Sequence, residues 1–170
     1  MNKILEKNLL KKYPKILKDM YGPMDKTCMH FGIECGDGWY YLIDNLLHSI
    51  QWRIVNQKVE QVTAEQIKEK FGTLRFYYEG GDDRIDGMVE LAESMSGGIC
   101  ENCGCMNEAV GRTQKAWIQT LCVPCATDFK KKVKVGKDGK MWARVHKSRT
   151  DPRKSWIGIE ELTPKKKGKK

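Results

Sequence analysis

The chain has 170 residues, 40% of them apolar and 31% charged, with 31 Lys+Arg against 22 Asp+Glu for a formal charge of +9. That size and balance suit one domain, or one domain with an appendage, and are not those of a disordered chain. No apolar run approaches the roughly 18 residues a membrane span needs, and the lysine-rich start has no apolar signal core, so the sequence predicts a cytoplasmic protein with no membrane partner.

Ile4, Leu5, Leu9, Leu10, Ile16 and Leu17 recur at helical spacing, interrupted by Pro14, which fits as the first residue of a second short helix. Tyr21-Gly22-Pro23 stops it. Asp37 is the expected N-cap of a helix to about Val55, with Trp39, Ile43, Leu46, Leu47, Ile50 and Ile54 as its apolar stripe. Thr63 with Gln66 three residues on reads as a capping box, predicting a helix that buries Ile67 and Phe71 and ends at Gly72. Thr73–Tyr78 alternates as a strand, with Leu74, Phe76 and Tyr78 on one face and Arg75 and Tyr77 on the other. After Gly80-Gly81, Asp82 or Asp83 caps a helix to about Met95, with Ile85, Met88, Val89, Ala92 and Met95 inward.

Four of the seven cysteines form Cys100-x2-Cys103-x18-Cys122-x2-Cys125. Each pair fits a knuckle, and two knuckles joined by a hairpin make a tetrahedral thiolate cage. Soft thiolates suit zinc, and four of them leave no position for water, so the sequence predicts a zinc ribbon holding one structural Zn2+. Strands are expected at Ala109–Arg112 and Ala116–Leu121. Cys105 is an alternative to Cys103 as ligand; Glu101, the carboxylate nearest the cysteines, is expected to be solvated. Cys28, His30 and Cys35 are close enough in sequence to seed a second site, but read more simply as structural residues.

The charge is unevenly spread. Residues 126–170 hold 16 Lys+Arg and 5 Asp+Glu, or +11, against −2 for residues 1–125. A basic hairpin is expected there, with Val133 and Val135 on one strand, Met141, Ala143 and Val145 on the other, and a Lys137-Asp138-Gly139 loop. That register gathers Lys132, Lys134, Lys140, Trp142, Arg144 and His146 on one face, with Lys132 opposite Arg144. Like charges across strands repel, so such a face suits nucleic acid or another polyanion, with Trp142 offering a stacking surface.

Two other constellations carry alternatives. Asp82, Asp86, Glu90 and Glu93 fall roughly on one helical face, where a Mg2+-dependent nuclease would place carboxylates; a solvated acidic face explains them more simply. Asp37, Trp39, Arg75, Tyr77 and Arg84 combine Arg and aromatic groups that suit a nucleotide or a partner-protein surface, although Trp39 also fits the core. Neither a phosphate-loop pattern nor a Ser/His/Asp constellation is present, which points away from an enzyme.

Glu34-Cys35-Gly36-Asp37-Gly38-Trp39, the stretch from Ile67 to Gly81 and the paired cysteines together resemble a group of small uncharacterised proteins encoded by tailed bacteriophages. The resemblance spans roughly residues 13–125 and leaves the basic segment unmatched. It implies action in the cytoplasm of a host bacterium, by nucleic-acid binding or as an antagonist that binds a host defence protein or sequesters a nucleotide signal. It implies no catalytic residue. The expected fold is α+β: a helical N-terminal body with a short strand (1–98), a zinc ribbon (99–128), a basic β-hairpin segment (129–162) and a lysine-rich tail (163–170).

Overall fold

The computed structural model describes residues 1–106, 110–114, 118–132, 142–144 and 156–158. It is mixed helix and strand. Helix α1 (Lys3–Lys12) starts at Asn2, whose side chain accepts from the Ile4 and Leu5 N–H groups. Glu6 in its first turn and Lys11 and Lys12 in its last complement the helix dipole. It stops at Tyr13, because a residue before proline is steered out of the helical region. The second helix expected from Pro14 is not there. Residues 14–21 form successive turns, since the Ile16 carbonyl accepts the Ala64 N–H across the fold at 2.8 Å instead of propagating a helix. Ile16, Leu17 and Met20 are buried all the same, so their spacing reported burial correctly and conformation wrongly.

Glu6 is 1% exposed and acts as an internal tie. It accepts from the Ile33 N–H at 2.8 Å, from the Lys3 ammonium at 2.9 Å and from the Tyr21 hydroxyl. Gly32 sits on top of it at φ +77°, where a β-carbon would come within 2.7 Å of the carboxylate. Replacing Glu6 with Ala strands the buried Ile33 donor and loosens Tyr21. A loss of about 2–3 kcal/mol in denaturant unfolding is expected, with Glu6→Gln recovering part of it; an unchanged midpoint for Glu6→Ala refutes the tie.

A single turn of 3-10 helix at Asp37–Trp39 leads into α2 (Tyr40–Gln57). Asp37 does not cap this helix, contrary to expectation. Its carboxylate instead accepts from the Asn2 backbone and side chain, both at 2.7 Å, and so fastens the start of the chain. The α2 stripe of Ile43, Leu46, Leu47, Ile50 and Ile54 is buried with Trp39, as the spacing predicts.

The helix expected from Thr63 is a strand. After β1 (Ile33–Glu34), β2 (Thr63–Lys70) and β3 (Thr73–Glu79) form an antiparallel hairpin, and β1 adds in parallel to β2, giving the order β1-β2-β3. Phe71 and Gly72 make a two-residue turn with φ of 53° and 77°, the left-handed pair that such a hairpin requires. Ile67 is buried as expected, but Phe71, at the turn, is exposed. Pairing with β3 outweighs the local capping signal.

Helix α3 (Asp83–Ser96) is capped by Asp82, which accepts from the Ile85 N–H and pairs with Arg53. It lies along the open edge of β3. Ser96 Oγ accepts from the Leu74 N–H and Glu93 Oε1 from the Phe76 N–H, both at 2.9 Å. Side chains thus occupy edge donors that would otherwise recruit another strand. Of the residues expected inward, Ile85, Val89 and Ala92 are buried, Met88 is half-buried and Met95 is exposed.

The second sheet has the order β5-β4-β6-β7. Strands β4 (Val110–Gln114) and β5 (Thr120–Cys122) form a hairpin, followed directly by α4 (Val123–Lys132). Strand β6 (Trp142–Arg144) pairs antiparallel with β4 and with β7 (Trp156–Gly158). This corrects the expected basic hairpin in two respects. Lys132 ends a helix and does not face Arg144 across strands. Both edges of β6 are taken, by β4 and β7, whereas its expected partner, 133–135, lies outside the described residues, as do Lys134, Lys140 and His146.

Candidate metal centre

Cys100 and Cys103 lie in a tight turn. The Cys100 N–H donates to the Cys105 carbonyl at 2.9 Å, the Gly104 N–H donates to the Cys100 carbonyl at 2.8 Å, and Gly104 takes φ +76°. The Cys105 N–H is directed at the Cys103 sulfur. This is the expected knuckle. The second pair is built differently: Cys122 ends β5 and Cys125 stands in the first turn of α4, with its N–H directed at the Cys122 sulfur. The centre is therefore a knuckle, a hairpin and a helix start, not a ribbon with two knuckles. The positive end of α4 faces the sulfurs, as suits thiolates.

The four sulfurs all lie within 4.8 Å of one another. Ligands at about 2.3 Å from a tetrahedral ion are about 3.8 Å apart. Cys103 and Cys122 Sγ are separated by 3.7 Å. The quartet is compatible with a metal ion site and, among the described residues, is the one group of His, Cys, Asp and Glu close enough to hold an ion. Cys105 sits against Cys103 and Cys122 but contributes mainly its backbone; its thiol is pushed up to about 11 by burial.

The electrostatics ask for a cation. Burial and neighbouring sulfurs push the Cys122 and Cys125 thiols up to about 12. Cys103, whose sulfur accepts the Cys105 N–H, is drawn down to about 7. Left to themselves Cys122 and Cys125 stay protonated, and a divalent ion bound between the sulfurs would reverse that by stabilising their thiolates. Asn102 Nδ2 donates to Cys125 Sγ at 3.3 Å, a partner of the kind that holds a ligand in orientation.

Contrary to the expectation that it is solvated, Glu101 is buried, at 4% exposed. Its carboxylate accepts from the Gly36 N–H at 2.9 Å and from Gln119 Nε2 at 3.4 Å, and burial raises its pKa. Its backbone is used as well: the N–H donates to the Thr120 carbonyl and the carbonyl accepts from Gly38 N–H, both at 2.8 Å. The knuckle is thereby locked to the body. Trp39 Nε1 donates to the Ile99 carbonyl at 3.0 Å, and Thr120 Oγ1 donates to the Gly72 carbonyl. A β-carbon on Gly36 would lie 2.2 Å from the Glu101 carbonyl oxygen, and one on Gly38 2.2 Å from that of Cys100. The stretches Glu34–Trp39 and Ile67–Gly81 thus both contribute to the joint between the body and the cysteine module. Sequence reasoning missed this; two glycines flanking Asp37 were the available sign of close backbone approach.

The other candidate sets do not converge in this way. Trp39 is 0% exposed and belongs to the core. Asp37 is held by Asn2, Arg75 pairs with Glu93 at 3.1 Å, Tyr77 lies under the Lys68 ammonium, and Arg84 is exposed at the start of α3. Asp82, Asp86 and Glu93 are engaged by Arg53, Tyr78 and Arg75 respectively, and Glu90 is exposed. His30 donates to the Gly22 carbonyl at 2.7 Å, Cys35 is buried and Cys28 is exposed. Among the described residues no helix is long and apolar enough to cross a membrane. No protein-family model, curated protein or solved structure matches the chain.

Proposed function

We propose that the chain is a non-catalytic protein that holds one structural zinc ion at Cys100, Cys103, Cys122 and Cys125 and binds nucleic acid through its basic C-terminal segment. The donor set supports zinc, since four cysteine sulfurs gathered within 4.8 Å of one another can satisfy that ion as thiolates and leave no open position for chemistry. The observation that carries the reading is the shared strand β4. It pairs with β5, which delivers Cys122, and with β6, which bears Trp142 and Arg144. The metal module is thus the mount for part of a segment carrying +11. On the phage resemblance, the protein would act in the cytoplasm of an infected bacterium.

Fluorescence anisotropy with labelled single-stranded and duplex oligonucleotides tests this. Affinity is expected to fall steeply with salt, because Lys and Arg displace condensed counterions. Deleting residues 133–170 should abolish binding, and Trp142→Ala with Arg144→Ala should weaken it more than about tenfold. Equal affinity in the truncated chain overturns the proposal.

A further inference from the structure

Among the described residues, three other than glycine take a positive φ: Tyr21 at 63°, Lys58 at 55° and Phe71 at 53°. That region costs a residue with a β-carbon free energy unless the structure repays it. Lys58 ends α2, where helices commonly pass into it. Tyr21 is anchored through its hydroxyl to Glu6. Phe71 stands at the tip of the β2–β3 hairpin and is 66% exposed. Asn before Gly72 is what this turn favours, so a phenyl ring there is held out to solvent at a cost to the fold. Strain of this kind gathers at binding sites.

The surroundings of the ring select its ligand. Leu74 and Phe76 are buried, so Arg75 and Tyr77 stand on the outer face of β3. Lys70 Nζ lies 5.9 Å from the centroid of the Phe71 ring and Lys68 Nζ 5.5 Å from that of Tyr77. A ring with an ammonium beside it offers one surface to a base and a contact to its phosphate. Lys68 faces Arg75 across the strands, with Glu34 on its other side and Glu93 paired with Arg75. Towards the tip the charge is less offset: among the described residues neither Lys70 nor Arg112 is in an ion pair. The tip rests on β4, since a β-carbon on Gly72 would lie 3.2 Å from Arg112 Cγ. Strand β4 in turn pairs with β6, which bears Trp142 and Arg144.

We propose that Phe71, with Tyr77 farther along the same hairpin, is a base-stacking platform for single-stranded nucleic acid, with Lys68, Lys70 and Arg112 contacting its phosphates. Tyr77 is about 15 Å from the tip at strand rise, so the two rings engage separate bases of one strand. A duplex keeps its bases stacked on one another and gains little from such rings. The inference rests on the nucleic-acid reading and extends that surface from the C-terminal segment onto the body.

Fluorescence anisotropy of the zinc-loaded full chain with labelled oligothymidylate of about 15 nucleotides, and with a duplex of the same length, tests it. Phe71→Asn is expected to weaken single-strand binding more than about fivefold and duplex binding less than about twofold. The same variant should unfold at higher denaturant, because Asn relieves the strain at the tip. Tyr77→Ala should also weaken single-strand binding, and Phe71→Trp should keep it. Binding lost together with a lowered unfolding midpoint would make the ring structural and overturn the proposal. So would equal losses on single strand and duplex. If deleting residues 133–170 abolishes binding and Phe71→Asn leaves it unchanged, the platform is wrong and the nucleic-acid reading stands. If the unaltered chain binds neither oligonucleotide, both fall.

Discussion

Stripping the metal with a strong chelator is expected to unfold the module and leave the body standing. Among the described residues the module's own core comprises Cys100, Val110, Leu121, Cys122 and Ala126, and two of these five belong to the cysteine quartet. So small a core cannot offset the entropy of ordering the hairpin and the start of α4. Binding of structural zinc supplies about 10–16 kcal/mol, comparable with the whole stability of a typical domain. The body needs no such help, since Leu9, Ile16, Trp39, Ile43, Leu47, Ile50, Ile67 and Leu74 are buried without reference to any ligand. Hydrogen exchange should therefore report lost protection at Glu101 and Thr113, spreading to Gly38, whose N–H is held by the Glu101 carbonyl. The Trp39 indole should lose its Ile99 partner and change the near-ultraviolet signal, while most helical dichroism persists. Acid should act in the same direction, because protons compete with the metal for each thiolate. Metal-free protein that keeps its full near-ultraviolet signal and its protection would sink the assignment.

Much of this was legible beforehand, and the failures have physical causes. The α2 stripe, the β3 alternation and the Asp82 cap follow from periods and caps that operate locally. The cysteine quartet was legible from spacing, but its architecture was not. Two residues between cysteines place both sulfurs together in a knuckle and equally in one turn of helix. The residue that discriminates between them is Pro124, which suits the first turn of a helix. Strand β2 was misread because Thr63 and Gln66 imitate a capping box and Glu65, Lys68, Glu69 and Lys70 tolerate a helix; its pairing partners lie elsewhere in the chain. The burial of Glu101 depends on Gly36 and Gln119, far from it in sequence, so no local pattern announces it.

The joint itself supplies the other large effect. Gly38→Ala is expected to cost about 3 kcal/mol or more and to weaken metal binding. The added β-carbon would lie 2.2 Å from the Cys100 oxygen, 2.4 Å from the Gly104 nitrogen and 2.7 Å from the Glu101 oxygen. All three are backbone atoms of the knuckle, so no side chain can rotate away. Relief requires either the knuckle or the 36–38 loop to move, and both moves strain the Gly38–Glu101 hydrogen bond. Gly87→Ala is the internal control. It lies within α3 with nothing inside 4 Å of the new carbon, so there the same chemical change should stabilise by about 0.5–1 kcal/mol. Denaturant unfolding of both variants, together with competition for zinc against a chromophoric chelator, separates joint from module. If only the body loosens, metal affinity is unchanged and the knuckle tolerates the displaced loop. If the knuckle is held in shape by the body, both quantities fall together in Gly38→Ala and neither falls in Gly87→Ala. The backbone contacts favour the second result, because Cys100, the most buried cysteine of the quartet, carries the oxygen that the new carbon meets first.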